Sequence, residues 1–290
     1  MKKFLFIISM SIVILALVGC SSQNAENDKD EQNKKNQEEV VVATSVAITE
    51  ILDQLGVKVK GVPNTNYELP DSVRDATKVG NPMSPDMEII KSLKPTSVIC
   101  VDTLGSDYEK QFEQNNIEAE FYNLSDVDGL KETILSLGQK FGKKENAEEI
   151  LNQINKAQSS ASKDKKSDQK VLILFGAPGS VMVATDKSYV GNLVKLVVCN
   201  NVFSNATSSF TQVNLEEIIK LNPDKILVMT HANPEEAKKS VEEELSKDLW
   251  KNINAVKNGD ITYLENGYFG MSANLKVVES LEKLGEILYE

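Results

Sequence analysis

The chain has 290 residues, of which 41% are hydrophobic and 26% are charged, a composition typical of globular proteins and too polar for a polytopic membrane protein. Acidic residues outnumber Lys and Arg by 43 to 32, and the net charge of −11 argues against nucleic-acid binding because phosphates would be repelled. One histidine and three cysteines offer little material for a zinc site made of Cys and His side chains.

Residues 1–19 carry the features of a secretion signal. Two lysines precede an apolar run from Phe4 to Val18, which is shorter than the ~20 residues that a membrane-spanning helix needs. The run ends in Leu17-Val18-Gly19-Cys20, which resembles the lipobox of bacterial lipoproteins. The resemblance implies cleavage before Cys20 and diacylglycerol on its thiol; a plain secretory signal and an uncleaved anchor are the alternatives.

The next segment, residues 20–39, is predicted to be a flexible tether. After Cys20 its one apolar residue is Ala25, and the others are Ser, Asn, Gln, Asp, Glu and Lys. Such a segment buries too little surface to offset the chain entropy lost on folding. A lipid anchor followed by a tether would hold a folded body at the outer, extracytoplasmic face of a cell membrane.

From residue 40 onward, short buried-strand patterns alternate with helical patterns. Ser45 is a predicted N-cap for a helix that ends near Gly56, and apolar residues from Ala147 to Ala161 keep a helical period over about five turns. Strands are predicted at 40–43, 57–62, 98–102, 171–175, 181–183 and 226–229. The alternation predicts an α/β fold: two lobes with parallel-type sheets, joined by a single long helix. The predicted bounds are 40–142, 143–167 and 168–290 for the N-terminal lobe, the connecting helix and the C-terminal lobe.

An internal repeat supports two comparable lobes. Residues 86–95 and 214–223 both read as a short helix stopped by a proline before a strand, and Glu88 aligns with Glu216. The same register places Thr103 opposite His231, each just past the carboxyl end of its strand, where α/β sheets usually bind ligands. His231 is therefore predicted to face a cleft between the lobes.

These features together resemble the substrate-binding lipoproteins of ABC importers, in the helical-backbone class (class III) that serves siderophores, cobalamin and haem. The segments with Glu88 and Glu216 resemble those that carry the permease-docking glutamates of that class, which implies the same role for these two residues. More specifically, residues 79–85 and 229–236 resemble segments of the haem-receptor lipoproteins of the iron-regulated surface determinant system. That resemblance implies no enzymatic activity, haem b as the transported ligand, and Met83 and His231 as the axial ligands of its iron.

Each assignment has a plainer alternative. A lone histidine is more often a surface or hydrogen-bonded residue, and a methionine more often fills an apolar gap. Met83, however, lies between Pro82 and Pro85, where helix packing cannot explain it. Exposed glutamates on helices are usually just solvated, so Glu88 and Glu216 gain a role only from their matched positions.

The rim of the cleft is less specified. The backbone N–H groups of Ser45 and Val46 offer donors for a haem propionate, or serve only an ordinary helix start. Aromatic and sulfur side chains are candidates to wall the slot or to fill the core: Tyr67, Tyr189, Tyr268, Phe269 and Met271.

Three further segments carry expectations. Residues 176–180 lack the lysine and spacing of a phosphate loop and are predicted to form a turn beside the cleft. Cys100 and Cys199 are predicted to be buried free thiols. Residues 198–201 depart from the broader class, in which glycines would precede the asparagine.

The expected partners are haem, the permease of a haem importer and, upstream, other cell-surface haem-binding proteins, with the receptor itself a monomer on a Gram-positive cell. A ferric-siderophore receptor is the alternative because it shares the fold, although one arginine is little for an anionic ligand. An enzyme is the alternative from another class, but a Ser-His-Asp triad would depend on His231 and no G-x-S-x-G elbow is present.

Overall fold

The computed structural model describes residues 39–163 and 167–289. Residues 40 onward form one compact unit. The predicted signal peptide and the tether up to residue 38 lie outside the described residues. Within the described ranges, no helix has the length and apolar character needed to cross a membrane.

The N-terminal lobe is built on a five-stranded sheet in the order β3-β2-β1-β6-β7, and every pair in it is parallel. A two-stranded antiparallel hairpin, β4–β5, follows its edge strand. The strands are β1 (Val41–Ala43), β2 (Val59–Val62), β3 (Thr77–Lys78), β4 (Gly80–Asn81), β5 (Ser84–Pro85), β6 (Ser97–Val101) and β7 (Glu120–Tyr122).

The C-terminal lobe contains a second sheet in the order β11-β9-β8-β12-β13, with β10 paired to β8. Its strands are β8 (Lys170–Ala177), β9 (Ser180–Ala184), β10 (Asn200–Asn201), β11 (Phe210–Gln212), β12 (Lys225–Thr230) and β13 (Ile261–Tyr263). This sheet is mixed rather than wholly parallel, because β8 and β9 form a hairpin through Pro178 and Gly179. Gly179 has a φ of 72°, as the second central residue of a type II turn requires, so the predicted turn at 176–180 is confirmed.

The described residues contain ten α-helices: α1 (Val46–Gln54), α2 (Met87–Ser92), α3 (Ser106–Gln114), α4 (Val127–Lys140), α5 (Lys144–Ala161), α6 (Tyr189–Leu196), α7 (Leu215–Leu221), α8 (Pro234–Leu245), α9 (Asn254–Asn258) and α10 (Val277–Tyr289). The long helix α5 connects the lobes and packs against α4 and α10. The predicted α/β architecture with one connecting helix is confirmed. The exact lobe bounds remain predictions.

The two lobes are joined by more than the connecting helix. One apolar core cluster contains fully buried residues of both sheets, among them Val41 and Ile173. The Ala273 N–H donates to the Leu124 carbonyl at 2.7 Å, so a loop after β13 is bonded to the loop after β7. The lobes therefore form a single, continuously packed body.

The internal repeat is present in three dimensions. Helices α2 and α7 occupy matching positions, capped by Asp86 and Asn214 respectively. Ile90 and Ile218, four residues after these caps, are both fully buried. Each helix leads into a central parallel strand, β6 or β12, whose carboxyl end reaches the edge where the site was predicted.

Candidate functional site

His231 is held by the end of strand β12. Its N–H donates to the Gly176 carbonyl at 2.9 Å, which extends the parallel pairing of β12 with β8 by one residue. Ala232 then turns the chain with a φ of 64°, and α8 begins two residues later. Because the backbone is fixed on both sides, the Cα of His231 has a defined place at the carboxyl edge of the sheet.

Helix α8 comes unusually close to the neighbouring strand. A Cβ on Gly176 would lie 2.6 Å from Val241 Cγ2 and 3.0 Å from the Ala237 carbonyl oxygen. No side chain fits between them, so Gly176 permits α8 to pack directly on one face of β8. His231 lies in the turn that leads into this helix.

The imidazole of His231 is half-buried and lies beside an aromatic ring. Its centroid is 5.8 Å from that of Phe175, with 30° between the ring planes. Burial lowers the pKa of His231 below the ordinary value, because the charged form loses solvation. The ring is therefore neutral at pH 7, the form that binds a metal ion.

Met83 lies at the tip of the β4–β5 hairpin. Asn81 pairs with Ser84, so Pro82 and Met83 form a two-residue turn, and the Met83 N–H donates to Asn81 Oδ1 at 2.9 Å. The side chain is 53% exposed, so it fills no gap in the core. The sequence predicted a proline-framed loop and not a hairpin. Each strand of the hairpin is only two residues long, which is too short for an alternating pattern to be recognised.

The hairpin projects from the edge where the parallel strands end. The Val79 N–H donates to the Val62 carbonyl at 2.9 Å, and the Asn64 N–H donates to the Gly80 carbonyl at 2.7 Å. These bonds place the start of the hairpin beside the segment that follows β2. That segment leads to Tyr67, whose side chain is 48% exposed. Met83 and Tyr67 thus belong to neighbouring loops of one sheet edge.

Ser45 acts as the predicted N-cap of α1. Its Oγ accepts a hydrogen bond from the Ile48 N–H at 3.3 Å. Val46 is the first helical residue, and N–H groups at the start of a helix have no partner within it. The helix starts directly after β1, at the same carboxyl edge of the sheet as the hairpin. An ordinary cap and an anion-binding helix end are thus both compatible with this geometry.

Side chains from both lobes meet beside these strand ends. Thr103 Oγ1, just past β6, lies 3.3 Å from Ser272 Oγ in the loop after β13. The same C-terminal loop is tied to β12, because the Thr230 hydroxyl donates to Asn266 Oδ1 at 3.0 Å. The carboxyl edges of the two sheets therefore face one another, with Thr103 and His231 in equivalent positions.

Some candidates for the wall of the slot belong to the core. Tyr189 and Phe269 are fully buried, so packing explains them. Tyr268 and Met271 are half-buried, and the Lys283 Nζ lies 4.7 Å above the Tyr268 ring.

The two thiols differ from one another. Cys100 is a buried free thiol in β6, as predicted, and desolvation raises its pKa to about 12. Cys199 is free but only half-buried, which corrects the expectation that it is fully enclosed. It follows the exposed Val198 in the turn after α6 and packs against the apolar core on one side only.

A cavity of about 570 Å³ lies on another part of the surface, between α1, α5 and the start of α10. Its lining includes Glu50, Asp53, Glu68, Asp71 and a single cation, Lys276, and it contains none of the predicted ligands. A carboxylate-rich wall is unsuited to a ligand with anionic propionates. Within the described ranges, no group of three or more His, Cys, Asp or Glu residues is arranged to hold a bare metal ion.

The predicted docking glutamates are both exposed on matching helices. The Glu88 side chain is 83% exposed and lies 2.6 Å from Lys91 Nζ, one turn along α2. Glu216 is exposed in the first turn of α7. Their role in docking stays a prediction.

Comparisons with known proteins agree with this architecture. The sequence profile of the periplasmic binding protein family matches residues 41–268. The high-affinity heme uptake system protein IsdE of Staphylococcus aureus strain Newman is 36% identical over 293 residues, covering 99% of this chain and 98% of that protein.

Solved structures give the same result. The crystal structure of S. aureus IsdE complexed with heme has a TM-score of 0.82 at 36% identity, covering 87% of this chain and all of that one. An ABC transporter substrate-binding protein from Listeria monocytogenes EGD-e has a TM-score of 0.80 at 38% identity, covering 87% and 99%. The Bacillus subtilis siderophore-binding protein FeuA, complexed with ferri-bacillibactin, shares the fold at 20% identity, with a TM-score of 0.71 and coverage of 86% and 91%.

Proposed function

Because this chain belongs to the periplasmic binding protein family, a family of transport proteins rather than enzymes, we propose that it is a lipid-anchored receptor that binds haem between its lobes. It delivers the haem to an ABC permease for uptake of haem and iron, and has no catalytic activity of its own. The observation that carries the proposal is the position of the one histidine, at the edge where both sheets end. The 36% identity to a haem uptake protein over nearly the whole chain supports the choice of ligand.

Two axial ligands from opposite lobes account for the geometry. His231 supplies a neutral imidazole from the C-terminal lobe, and Met83 supplies an exposed thioether from the N-terminal lobe. With both axial positions filled, the iron has no open site for oxygen, which suits a haem that is carried rather than used. The haem iron then links the two lobes across the cleft.

Rim groups complete the proposed site. The N–H groups of the N-cap Ser45 and of Val46 lie at the start of α1, beside the edge where the strands end, and are suited to receive a propionate, since a helix N-terminus attracts anions. Tyr67 covers the exposed face of the macrocycle from the neighbouring loop. Aromatic contact of this kind adds apolar area without adding charge.

The surroundings of the receptor follow from its first residues and its helices. Cys20 carries the lipid, residues 1–19 are the signal peptide, and the protein works as a monomer at the extracytoplasmic face of the cell membrane. Glu88 and Glu216, one on each lobe, pair with arginines of the permease through charge-assisted hydrogen bonds. Other cell-surface proteins hand haem to the receptor.

The visible spectrum of the purified chain, titrated with ferric haem, tests the ligand. We expect a sharp Soret band and resolved low-spin bands in the wild type, and their loss in His231→Ala. If the chain leaves the haem spectrum unchanged and a ferric siderophore quenches the intrinsic fluorescence of the protein, the siderophore alternative replaces this proposal. Low-spin bands that persist in His231→Ala would remove His231 from the site.

A further inference from the structure

Three aromatic side chains form a stack of tilted rings on one face of the C-terminal sheet, with 48° between the planes of Phe210 and Phe175 and 30° between those of Phe175 and His231. The Phe210 and Phe175 centroids are 4.8 Å apart, and the Phe175 and His231 centroids are 5.8 Å apart. Both distances lie in the range of favourable ring contacts, each worth about 0.5–1.5 kcal/mol beyond burial. The stack therefore ends at the imidazole.

The register of the strands brings these rings together. Phe175 of β8 pairs with Met229 of β12, and His231 follows two residues later on the same face. On the other side, Phe175 pairs with Met182 of β9, which pairs with Gln212 of β11, two residues from Phe210 on the same face. The stack is thus built into the sheet rather than formed by a loose loop.

Among the described residues, the ring contact with Phe175 is not accompanied by a hydrogen bond to the imidazole. Metal-binding histidines usually donate the second ring N–H to a carboxylate or carbonyl group, which fixes the ring. Within the described residues, no hydrogen bond to either ring nitrogen of His231 is present, although its backbone N–H is bonded. Phe175 is nearly fully buried, so its own ring cannot move to follow the imidazole.

We propose that Phe175, supported by Phe210, is the positioning residue that sets the plane of the His231 imidazole before haem arrives. The inference rests on the proposed function, because it assigns a role to side chains that would not touch the iron. Stacking replaces the usual hydrogen bond: it fixes the plane of the ring and leaves both nitrogens free of acceptors. The ring consequently meets haem already oriented, and less rotational freedom is lost on binding.

The test begins without haem. The full chain, extracted in detergent and labelled with ¹³C,¹⁵N-histidine, gives one set of imidazole signals because it has one histidine. We expect ring-current-shifted imidazole protons and nuclear Overhauser contacts to Phe175 in the wild type. Phe175→Leu keeps an apolar side chain but should move the imidazole protons toward random-coil shifts, whereas Phe175→Tyr should keep them in place.

The second readout is the loaded protein. Ferric low-spin haem has g values that depend on the orientation of its imidazole ligand. We expect Phe175→Leu to broaden or shift the g values and to speed haem loss about 10-fold, the lower end for groups that orient a metal-bound histidine. Phe210→Leu, at a half-buried position, should act in the same direction with a smaller effect, and it serves as the second variant if Phe175→Leu fails to fold.

A matched control separates positioning from general stability. Phe112 is buried in an aromatic cluster of the N-terminal lobe, 5.7 Å from the Phe121 ring. Phe112→Leu removes a comparable ring there and should leave both the histidine signal and the g values of haem unchanged.

The outcomes are distinguishable. If Phe175→Leu keeps the wild-type histidine shifts and g values while His231→Ala abolishes low-spin binding, the positioning role is overturned and the proposed function is kept. Wild-type haem binding in His231→Ala would overturn both. If Phe112→Leu changes the imidazole chemical shifts as much as Phe175→Leu does, the inference is also overturned, because a change in overall packing would then explain both changes.

Discussion

Lys94 and Asn222 adopt the same left-handed backbone conformation, with φ of 50° and 46°, and each precedes a proline and a central strand. Lys94 follows α2 and Asn222 follows α7, so the helices that carry Glu88 and Glu216 are both followed by a residue of positive φ and a proline. A non-glycine residue rarely adopts this conformation, and two at matched positions indicate a shared local geometry. The two glutamates are thus presented by repeated units, which suits a partner with two similar halves.

Reversing the charge of both glutamates should block uptake. We expect Glu88→Lys with Glu216→Lys to abolish haem uptake by cells while haem binding in solution stays normal, since like charges facing permease arginines repel. The control is Glu113→Lys with Glu243→Lys, an equal change of net charge at exposed positions of α3 and α8. Uptake at the wild-type rate in the first double variant would remove the pair from the interface.

The two proposed iron ligands should differ in effect. Imidazole binds ferric iron more strongly, whereas thioether favours ferrous iron and raises the potential. We expect His231→Ala to weaken ferric haem binding on the order of 100-fold, about 2.7 kcal/mol. Met83→Ala should still bind haem but with an open position that takes cyanide or carbon monoxide. Magnetic circular dichroism reports both states, and Met87→Ala, a half-buried methionine on α2, is the control.

Acid should destabilise the haem-free protein through His231. Its pKa in the folded state is lowered by burial, so the unfolded state binds the proton more readily. Above about pH 6.5, the ordinary histidine pKa, the titration of His231 leaves the free energy of unfolding unchanged. As the pH falls below that value, the titration lowers the free energy of unfolding. We expect the wild type to lose stability relative to His231→Gln across this window, measured by urea unfolding. Parallel curves would contradict the burial of the ring.

Val198 offers a stabilising change. It adopts a φ of 62° at the end of α6, where its N–H bonds to the Lys195 carbonyl and the Cys199 N–H bonds to the Val194 carbonyl. This is a Schellman turn whose left-handed residue is normally glycine. We expect Val198→Gly to raise the free energy of unfolding by about 1 kcal/mol. Lys195→Gly, inside the helix, should lower it by a similar amount; urea unfolding measures both.

Lipidation is tested in the producing organism. If Cys20 carries the diacylglycerol that supplies membrane affinity, Cys20→Ala should leave the protein unprocessed or shed into the medium. Membrane fractionation with detection of the mature size checks this. A conservative Ser21→Ala variant should remain processed and membrane-bound. An unchanged processed pool with Cys20→Ala would exclude the lipobox.

Much of this fold could be predicted because the strands are short apolar runs and the long helix repeats every 3.6 residues. The repeat around Glu88 and Glu216 fixed which strands are equivalent, so the place of His231 followed from counting. The departure from the broader class at residues 198–201 falls on a strained turn, since Val198 has a positive φ at a position where a glycine would be unstrained.

Other features depend on contacts that no local pattern carries. The stack of Phe175 on His231 requires the pairing of β8 with β12, and Phe210 joins it only because β11 lies beyond β9. The meeting of Thr103 with Ser272 joins residues 169 positions apart. Isolated polar residues in loops give no periodic signal, so such encounters become visible only once the sheets are assembled.

The hydrogen bond between the Ala273 N–H and the Leu124 carbonyl lies within a body whose apolar core runs through both lobes. Separating the lobes would break this bond and expose apolar surface to water, and the free-energy cost rises with the area exposed. A large opening movement of the two lobes is therefore not the way in which haem is released. We expect haem to leave the cleft with only a small change in the angle between the lobes.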